Sequence, residues 1–327
     1  MKKNQKMNSL KQSAAAVLLA ALSVCCLPPL VSPLYAAFLD SGWGVRPLGM
    51  AGAFTAVADD SSAQLYNPAG LALVEQKEFS FMSAKLYSGL DGVDIALNYA
   101  GYVEHLSAKA GSFGIAWGAL SSPSLYREDT ASFGYGRSLN DIFKSSKLNI
   151  SLGANIKYLK HEYTLDVRTV DDPVFANGQS AAATTFDAGL LVELKNTGMS
   201  FALASRNMTS PDVGLGSVDK VLAENVFGVA FYSDEVSYLK LPYFTSALDI
   251  VSRGQYTDAR LGIESWFFDG KFAVRAGAKK TDITLGLGYE IAIGESIKVL
   301  VDYALAWPLE IEESSGSHRF GISVRFP

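Results

Sequence analysis

Apolar and polar side chains alternate along many stretches of this chain, each about ten residues long. In residues 149–158, 186–195, 271–279 and 319–326, every second residue is apolar, and the residues between are polar or small. Leu191 is an exception, because it is an apolar residue on a polar face. Alternation with this period predicts β-strands that have one apolar and one polar face.

The same pattern, bounded by Gly, Asn, Asp and Ser, predicts fourteen strands along the chain. The predicted strands cover residues 77–87, 93–106, 111–120, 126–138, 147–163, 183–195, 199–209, 223–233, 239–251, 258–268, 271–279, 281–292, 295–305 and 318–326. Asp269-Gly270 reads as a tight hairpin turn, whereas the polar links Asp166 to Ala181 and Ser210 to Val221 read as longer loops. An even strand number with short turns on one side and long loops on the other is typical of bacterial membrane barrels.

Alternation by itself leaves two architectures open, a soluble sandwich and a membrane barrel. Three further features favour the barrel. The segments are longer than the usual globular strand of about 5–6 residues. Glycines recur on the polar faces, namely Gly153, Gly189, Gly277 and Gly321. Aromatic residues gather near segment ends, as in an interfacial girdle: Tyr158, Tyr163, Trp266, Phe267, Phe268, Tyr289, Tyr303 and Trp307. We therefore expect an all-β fold, a closed antiparallel transmembrane β-barrel of about fourteen strands.

The first residues predict export. Four lysines precede the apolar stretch Ala14 to Leu27, which is too short to span a bilayer and is followed by Pro28 and Pro29. Leu34-Tyr35-Ala36 approximates the A-x-A pattern, so we expect a cleaved signal peptide over residues 1–36. A lipoprotein is the alternative at Cys25, where Val24 stands in place of the small residue that lipidation requires.

Charge and composition limit the partners of the mature chain. The net charge is −5 and the leader carries four lysines and no acid, so the mature chain would carry −5 − 4 = −9. This balance argues against a nucleic-acid partner, which needs a positive face. Both cysteines lie in the leader, and no later apolar run reaches the ~20 residues of a spanning helix.

Residues between the leader and the first strand show a different pattern. In Gly42 to Glu75, the small-residue stretch Arg46 to Ala58 predicts a helix, and Asp59 to Ser62 could cap a second one. Asn67 to Gly70 reads as a stop and turn. Such a segment packs closely against other backbone, so we expect a hatch, residues 37–76, inside a barrel formed by residues 77–327.

Several short motifs resemble those of a known family. Residues Arg46 to Met50, Gly52 to Phe54, Ala58 to Asp60 and Asn67 to Leu71 resemble the N-terminal signature of PorV/PorQ-type proteins and, more distantly, of FadL-type fatty-acid channels. His318 to Gly321 with Arg325-Phe326 resembles the ending of the first group. The resemblance implies a fourteen-stranded outer-membrane barrel with an internal hatch. It also implies passage of hydrophobic compounds or a role in secretion.

The candidate functional residues each have two interpretations. Met50, Phe54, Val57, Leu65 and Tyr66 would either contact a hydrophobic solute or pack the hatch against the wall. Asp59 and Asp60 would either respond to ligand, pair with Arg275, Arg319 or Arg325, or cap a helix. Asn67-Pro68-Ala69-Gly70 is a rigid turn or a gating hinge. The full candidate set for ligand contact or gating is Arg46, Met50, Phe54, Asp59, Asp60, Tyr66, Asn67, Pro68 and Gly70.

Lumen-facing charges are expected to pair across neighbouring strands rather than to carry out chemistry. The acids of this set are Asp187, Glu193, Glu264 and Asp302, and the bases are Lys157, Arg260, Arg275 and Arg325. His105, His161 and His318 lack the spacing of a metal site, and no phosphate loop or nucleophile motif occurs. We therefore expect no enzyme activity, no cofactor and no metal.

Two functions remain, with a purely structural surface barrel in reserve. The first is a FadL-like channel for hydrophobic or small amphipathic compounds in the outer membrane of a Gram-negative-type bacterium. The second is a PorV-like barrel that holds or shuttles secreted protein cargo. The modest loop lengths favour the channel slightly. In both cases the expected partners include outer-membrane lipid and the barrel-assembly machinery.

Overall fold

A computed structural model describes residues 37–38, 42–167, 169–236 and 241–327 of the 327-residue chain. The predicted signal peptide and the alternative lipidation at Cys25 lie outside the described residues. Within them the chain forms three short α-helices, α1 (Val45–Gly49), α2 (Ala63–Tyr66) and α3 (Asn140–Phe143), and two 3₁₀ helices, Pro68–Leu73 and Pro173–Phe175. The strands are β1 (Lys77–Leu86), β2 (Ile95–Ser107), β3 (Gly111–Ser122), β4 (Tyr126–Ser138), β5 (Leu148–Tyr163), β6 (Ser180–Leu194), β7 (Met199–Arg206), β8 (Glu224–Val236), β9 (Leu241–Arg253), β10 (Tyr256–Phe267), β11 (Phe272–Ala278), β12 (Asp282–Ile293), β13 (Ile297–Pro308) and β14 (Ser317–Phe326).

These strands form one closed antiparallel barrel. Each strand pairs with its neighbours in sequence, and β1 closes the ring by pairing with β14 from Lys77↔Phe326 to Lys85↔His318. Closure leaves no free ladder edge, which lipid would not tolerate because unpaired N–H and C=O groups are costly there. The predicted fold class is confirmed, and every predicted strand end lies within three residues of the observed one.

Apolar and polar residues alternate along each strand, and the apolar set faces outward. On β5 the outward-facing Ile156 is 45% exposed, whereas Asn155, which faces the lumen, is 3% exposed. The sandwich alternative is therefore excluded, because the apolar rows lie on the outside of a single sheet and are not buried between two sheets. Outward apolar residues occur around the ring, including Phe81, Ile115, Phe133, Leu152, Phe186, Leu203, Phe227, Ile263, Leu287 and Phe320.

The two ends of the barrel differ. We call the end where β1 begins and β14 finishes the terminal end, and the opposite end the loop end. Asp269-Gly270 lies in a short link at the terminal end, as predicted, and Gly270 has the positive φ of 80° that favours glycine. Residues 164–179 and 207–223 form the long links at the loop end. No helix among the described residues is long and apolar enough to cross a bilayer.

Residues 42–76, which we call the hatch, fill the lumen. The prediction of a helix over Arg46 to Ala58 is wrong, because α1 ends at Gly49 and the chain turns through Ala51 and Gly52, whose φ angles are 54° and 77°. The barrel wall supplies the reason. Asp249 on β9 accepts hydrogen bonds from the amides of Phe54 (3.1 Å) and Thr55 (2.9 Å). Backbone N–H groups that donate to a carboxylate of the wall do not need the hydrogen bonds of a helix, so the chain can turn here.

The second half of the hatch agrees with expectation in part. The expected second helix is α2, but it has only four residues, and its N-cap residue Ser62 makes no side-chain cap bond. Asp60 instead accepts a hydrogen bond from the Ser62 amide at 2.9 Å. The predicted stop lies at Asn67, where α2 ends, and Asn67 Oδ1 accepts from the Ala69 amide (3.1 Å) and caps the 3₁₀ helix that Pro68 begins. Proline at the first position suits this start.

Candidate functional site

The apolar residues of the hatch form the centre of the molecule. Met50, Phe54 and Tyr66 are fully buried, and the Phe54 and Tyr66 rings meet edge to face with centroids 5.6 Å apart. Val57 and Leu65 belong to the same buried cluster. In this conformation the five side chains pack the hatch against itself and the wall. Their contact with a solute stays a prediction, since it requires the hatch to move.

Small residues on the wall allow the hatch to approach closely. A Cβ on Gly277 would lie 2.5 Å from the amide nitrogen of Ala51, and a Cβ on Gly321 would lie 2.6 Å from Val45 Cγ2. Gly153 likewise contacts the backbone of Pro68 and Ala69. The glycines on the polar strand faces therefore mark the places where the hatch touches the barrel. A larger side chain there would displace it.

A network of charged side chains, which we call the latch, joins α1 to the wall. Arg46 donates from Nε and from a terminal nitrogen to the two carboxylate oxygens of Glu264 on β10, both at 2.9 Å. Arg275 on β11 donates to Glu264 at 2.6 Å and to Asp302 on β13, also at 2.6 Å. Arg46 further pairs with Asp59 and with Asp60 (3.2 Å).

Arg46 stays charged in the latch. Burial disfavours the charged form of Arg46, but Asp59, Glu264 and Asp60 together raise its pKa well above the usual arginine value. Bidentate Arg–carboxylate pairs of this kind are strong because geometry and charge act together. The latch holds the hatch through groups that can exchange partners, not through apolar contact alone.

The predicted lumen pairs are confirmed in part. Glu264 and Asp302 pair with Arg275, and Asp187 pairs with Lys157 at 2.8 Å. Other pairs differ from the prediction, since Arg260 bonds Asp258 on its own strand and Glu193 accepts from Asn149. Arg325 pairs with Glu78, whose other oxygen accepts from the hatch amide of Ser61.

Asp59 and Asp60 also lie differently from expectation. Both acids pair with the hatch residue Arg46, and neither pairs with Arg275 or Arg325 among the described residues. The buried Arg319 lies beside Gly42 at the start of the hatch. The two acids therefore join one part of the hatch to another through Arg46.

The histidines lie apart. His105 bonds Ser112 (3.1 Å), His161 bonds the carbonyl of Val213 (2.7 Å), and His318 bonds Tyr303 (2.8 Å). Within the described parts of the chain, no group of three or more His, Cys, Asp or Glu side chains is arranged to hold a metal ion.

Two pockets lie in the lumen on either side of the hatch core. The loop-end pocket has a volume of about 60 Å³ and has an apolar part, Phe38, Trp43, Leu65 and Leu159. The rest of its lining is polar or charged: Glu128, Thr130, Lys157, Arg206, Asn207, Glu224 and Arg253. The terminal-end pocket has a volume of about 30 Å³, and its lining includes Arg46, Asp60, Glu78, Tyr99, Asp302 and Arg325.

The charges of the loop-end pocket are largely neutralised. Glu224 pairs with both Arg206 and Arg253. Arg206 also donates to the carbonyl of the hatch residue Leu65 at 3.1 Å. Apolar surface beside paired charges suits a hydrophobic compound with a polar end.

Sequence reasoning identified two residues of this loop-end pocket, Leu65 in the hatch and Lys157 among the lumen-facing bases. Leu159 is the apolar residue that a strand contributes to this pocket. It could have been found from the sequence, because it is an apolar residue on the otherwise polar inward face of β5. Arg206, Glu224 and Arg253 carried no such signal, since charged residues on an inward face are ordinary in a barrel.

The fold is shared with solved structures of membrane channels, at low sequence identity. The CymD monoaromatic hydrocarbon channel matches with a TM-score of 0.55 and 12% identity, covering 89% of this chain and 98% of CymD. The toluene transporter TodX of Pseudomonas putida matches with a TM-score of 0.51 and 12% identity, covering 87% of this chain and 97% of TodX. A FadL homologue of Pseudomonas aeruginosa gives a TM-score of 0.51 and 12% identity, covering 86% and 97%.

At such identity the likeness establishes the barrel fold alone. No protein-family model and no curated protein sequence matches the chain.

Proposed function

We propose that this protein is an outer-membrane channel for the uptake of hydrophobic or small amphipathic compounds. The observation that carries the proposal is a barrel lumen closed by a hatch, with a pocket on each side of it and a charged latch that holds it to the wall. A segment fixed by exchangeable polar contacts suits a gate better than a permanent core does. The fold that the chain shares with hydrocarbon channels supports the same function.

The outer membrane is the location that the exterior supports. Large apolar side chains cover the outward faces of the strands, whereas soluble monomers rarely expose continuous apolar patches beyond a few hundred Å². A closed barrel with an apolar belt is the form in which strands cross lipid. The predicted leader over residues 1–36 would direct export. Its removal would leave residues 37–76, which include the hatch, and the barrel of residues 77–327.

A solute would enter at the loop end, where the half-buried side chains of Phe38 and Trp43 line the pocket beside paired charges. Passage then requires displacement of the hatch, because Met50 and Phe54 leave no exposed surface at its centre. The latch between Arg46 and Glu264 sets how readily that displacement occurs.

A PorV-like role in protein secretion stays a prediction, and so does a purely structural barrel. One of the two long loops, residues 207–223, folds inward. Its residues Val213 and Val221 are buried against Leu159. This leaves less loop surface for a protein cargo. We therefore retain the channel as the proposed function.

The test uses a reversible lock between hatch and wall. Ser61 of the hatch and Ser80 of β1 have hydroxyl oxygens 2.5 Å apart, so the double variant Ser61→Cys/Ser80→Cys is placed to form a disulfide. Uptake of oleate, toluene and glucose is measured in proteoliposomes with the variant oxidised and then reduced. We expect oleate or toluene uptake in the reduced form and its loss in the oxidised form, with no glucose uptake in either.

The single variant Ser80→Cys is the control, and its uptake should not respond to oxidant. Absence of oleate and toluene uptake by the wild-type and reduced proteins would contradict the channel. Uptake that persists in the oxidised protein would instead show a path that bypasses the hatch.

A further inference from the structure

The link between β4 and β5 differs from the other terminal-end links that the structure describes. It runs over residues 139–147 and contains helix α3, whereas the links 108–110, 195–198 and 294–296 are tight turns. Two large apolar side chains of this link, Ile142 and Phe143, are 61% and 60% exposed. Water-exposed side chains of this size at the rim of a barrel are costly unless another apolar phase covers them.

The link continues the apolar outer surface of the barrel. On β4 the outward row passes through Phe133 and Tyr135, both exposed, before the link begins. On β5 the outward row includes the exposed Leu152. The exposed Ile142 and Phe143 therefore lie at the terminal edge of the surface that lipid covers in the proposed location.

Basic residues surround this apolar pair. Lys144 and Lys147 are exposed in the same link. Exposed Lys195, in the neighbouring link, is held beside Lys147 by a backbone hydrogen bond of 3.0 Å from its amide to the Lys147 carbonyl. Asp141 is the acid of the link, and it pairs with Arg137 at 2.6 Å. Within the described residues Lys144 and Lys147 make no ion pair, and Lys195 interacts electrostatically with Glu193 at the end of β6.

This concentration of positive charge stands out in an acidic protein. The full chain has a net charge of −5, and other terminal-end links carry acids, such as Asp269 and Glu295. Arg137, Lys144, Lys147 and Lys195 against Asp141 and Glu193 give a local charge of 4 − 2 = +2. We call these six residues, together with Ile142 and Phe143, the basic rim patch.

We propose that the basic rim patch binds the phosphate headgroup of an anionic phospholipid, with Ile142 and Phe143 in the acyl region next to it. Lysine is a strongly hydrated point charge on a flexible stem, which suits a phosphate at a bilayer surface. Its stem lies along apolar surface while the ammonium stays in water. The partner is an anionic lipid, since a zwitterionic headgroup would gain little from the unpaired Lys144 and Lys147.

The test compares lipid binding by two charge-matched variants in detergent. Lys144→Gln/Lys147→Gln removes two charges from the patch, and Lys85→Gln/Lys220→Gln removes two from the loop end. Retention of phosphatidylglycerol and of phosphatidylcholine is measured by native mass spectrometry. We expect the wild type and the loop-end variant to prefer phosphatidylglycerol, and the patch variant to lose that preference by about tenfold.

Equal retention of both lipids by the wild type would overturn the inference, as would an equal loss in both variants. A salt titration of the wild type keeps the test decisive if a variant fails to fold. Raising the ionic strength should remove the preference, because screening weakens exposed charge pairs. A preference that is insensitive to salt would also overturn it.

Discussion

At the residue scale, a few buried charged side chains hold the hatch against the barrel wall. Arg46 is the hatch side chain that enters the latch, and Glu264 is shared between it and the wall residue Arg275. Asp59 and Asp60 also face Arg46, and Asp302 also faces Arg275, so Glu264 is the counter-charge that both guanidinium groups share. Its removal takes one negative charge from a buried network that contains two cations, and breaking a buried ion pair in this way is costly.

The substitution Glu264→Gln tests the latch. We expect it to weaken docking of the hatch by about 3–5 kcal/mol, because Arg46 and Arg275 lose a shared buried partner. Hydrogen exchange of the peptide over residues 45–60 should accelerate, while the barrel keeps its resistance to unfolding in cold detergent. The control is Glu162→Gln, an exposed acid paired with Lys160 on the outer surface, which should leave exchange unchanged. Equal exchange in both variants would contradict the role of the latch.

At the scale of elements, the strands and the hatch are matched by shape. The inward face of β5 carries Gly153 where the 3₁₀ helix Pro68–Leu73 crosses it. The adjacent residue Ala154 faces outward and is exposed. Two neighbouring positions on one strand therefore meet different surroundings, the hatch backbone and the outer apolar surface.

Gly153→Val should push the 3₁₀ helix away from the wall. We expect a cost of about 1–3 kcal/mol in hatch docking, because the added side chain overlaps the Pro68 backbone. Faster exchange in the peptide over residues 66–74 and larger leak currents in planar bilayers would report it. Ala154→Val adds the same bulk to the outer face and should change neither measurement. If both variants behave alike, close packing at Gly153 does not hold the hatch.

At the scale of the whole molecule, one closed sheet separates two environments. Its outer face presents apolar rows, while its inner face presents charges and glycines to the hatch. Leu287 lies near the middle of β12 on the outer face and is exposed there. Its surroundings decide whether the exterior meets water or lipid.

Leu287→Arg should destabilise the protein in lipid vesicles by about 2–4 kcal/mol, because an arginine near the bilayer midplane loses its hydration. Urea titration of vesicle-embedded protein measures the change. Val218→Arg, at an exposed site in the loop of residues 207–223, is the control and should have little effect. A neutral Leu287→Arg would mean that water, not lipid, covers the strands.

Much of the fold was predictable because strand patterning is local. The period of two fixes which side chains share a face, so residues 149–158 revealed both surfaces of β5 before any contact was known. Strand boundaries followed from turn residues such as Asp269-Gly270. The location of the small residues on polar faces also indicated that something would pack against them.

The helix predicted over Arg46 to Ala58 does not form, because contacts with the barrel wall outweigh its local helical propensity. The small residues of Arg46 to Ala58 allow a helix, but Asp249 and Thr284 bind amides of Phe54, Thr55 and Ala51 in a turning conformation. The tertiary environment therefore overrode a weak intrinsic preference.

The sequence by itself determined the strands, which side chains share a face of each strand, and the presence of a separate segment before β1, since each depends on residues close together in the chain. Only the tertiary structure decided that the barrel closes on itself, that the apolar rows face outward, and that Arg46 meets Glu264, 218 residues further along. Closure of the barrel and pairing of its strands bring together residues that are far apart in the sequence. The local alternation of apolar and polar residues does not specify which inward-facing charged side chains will pair.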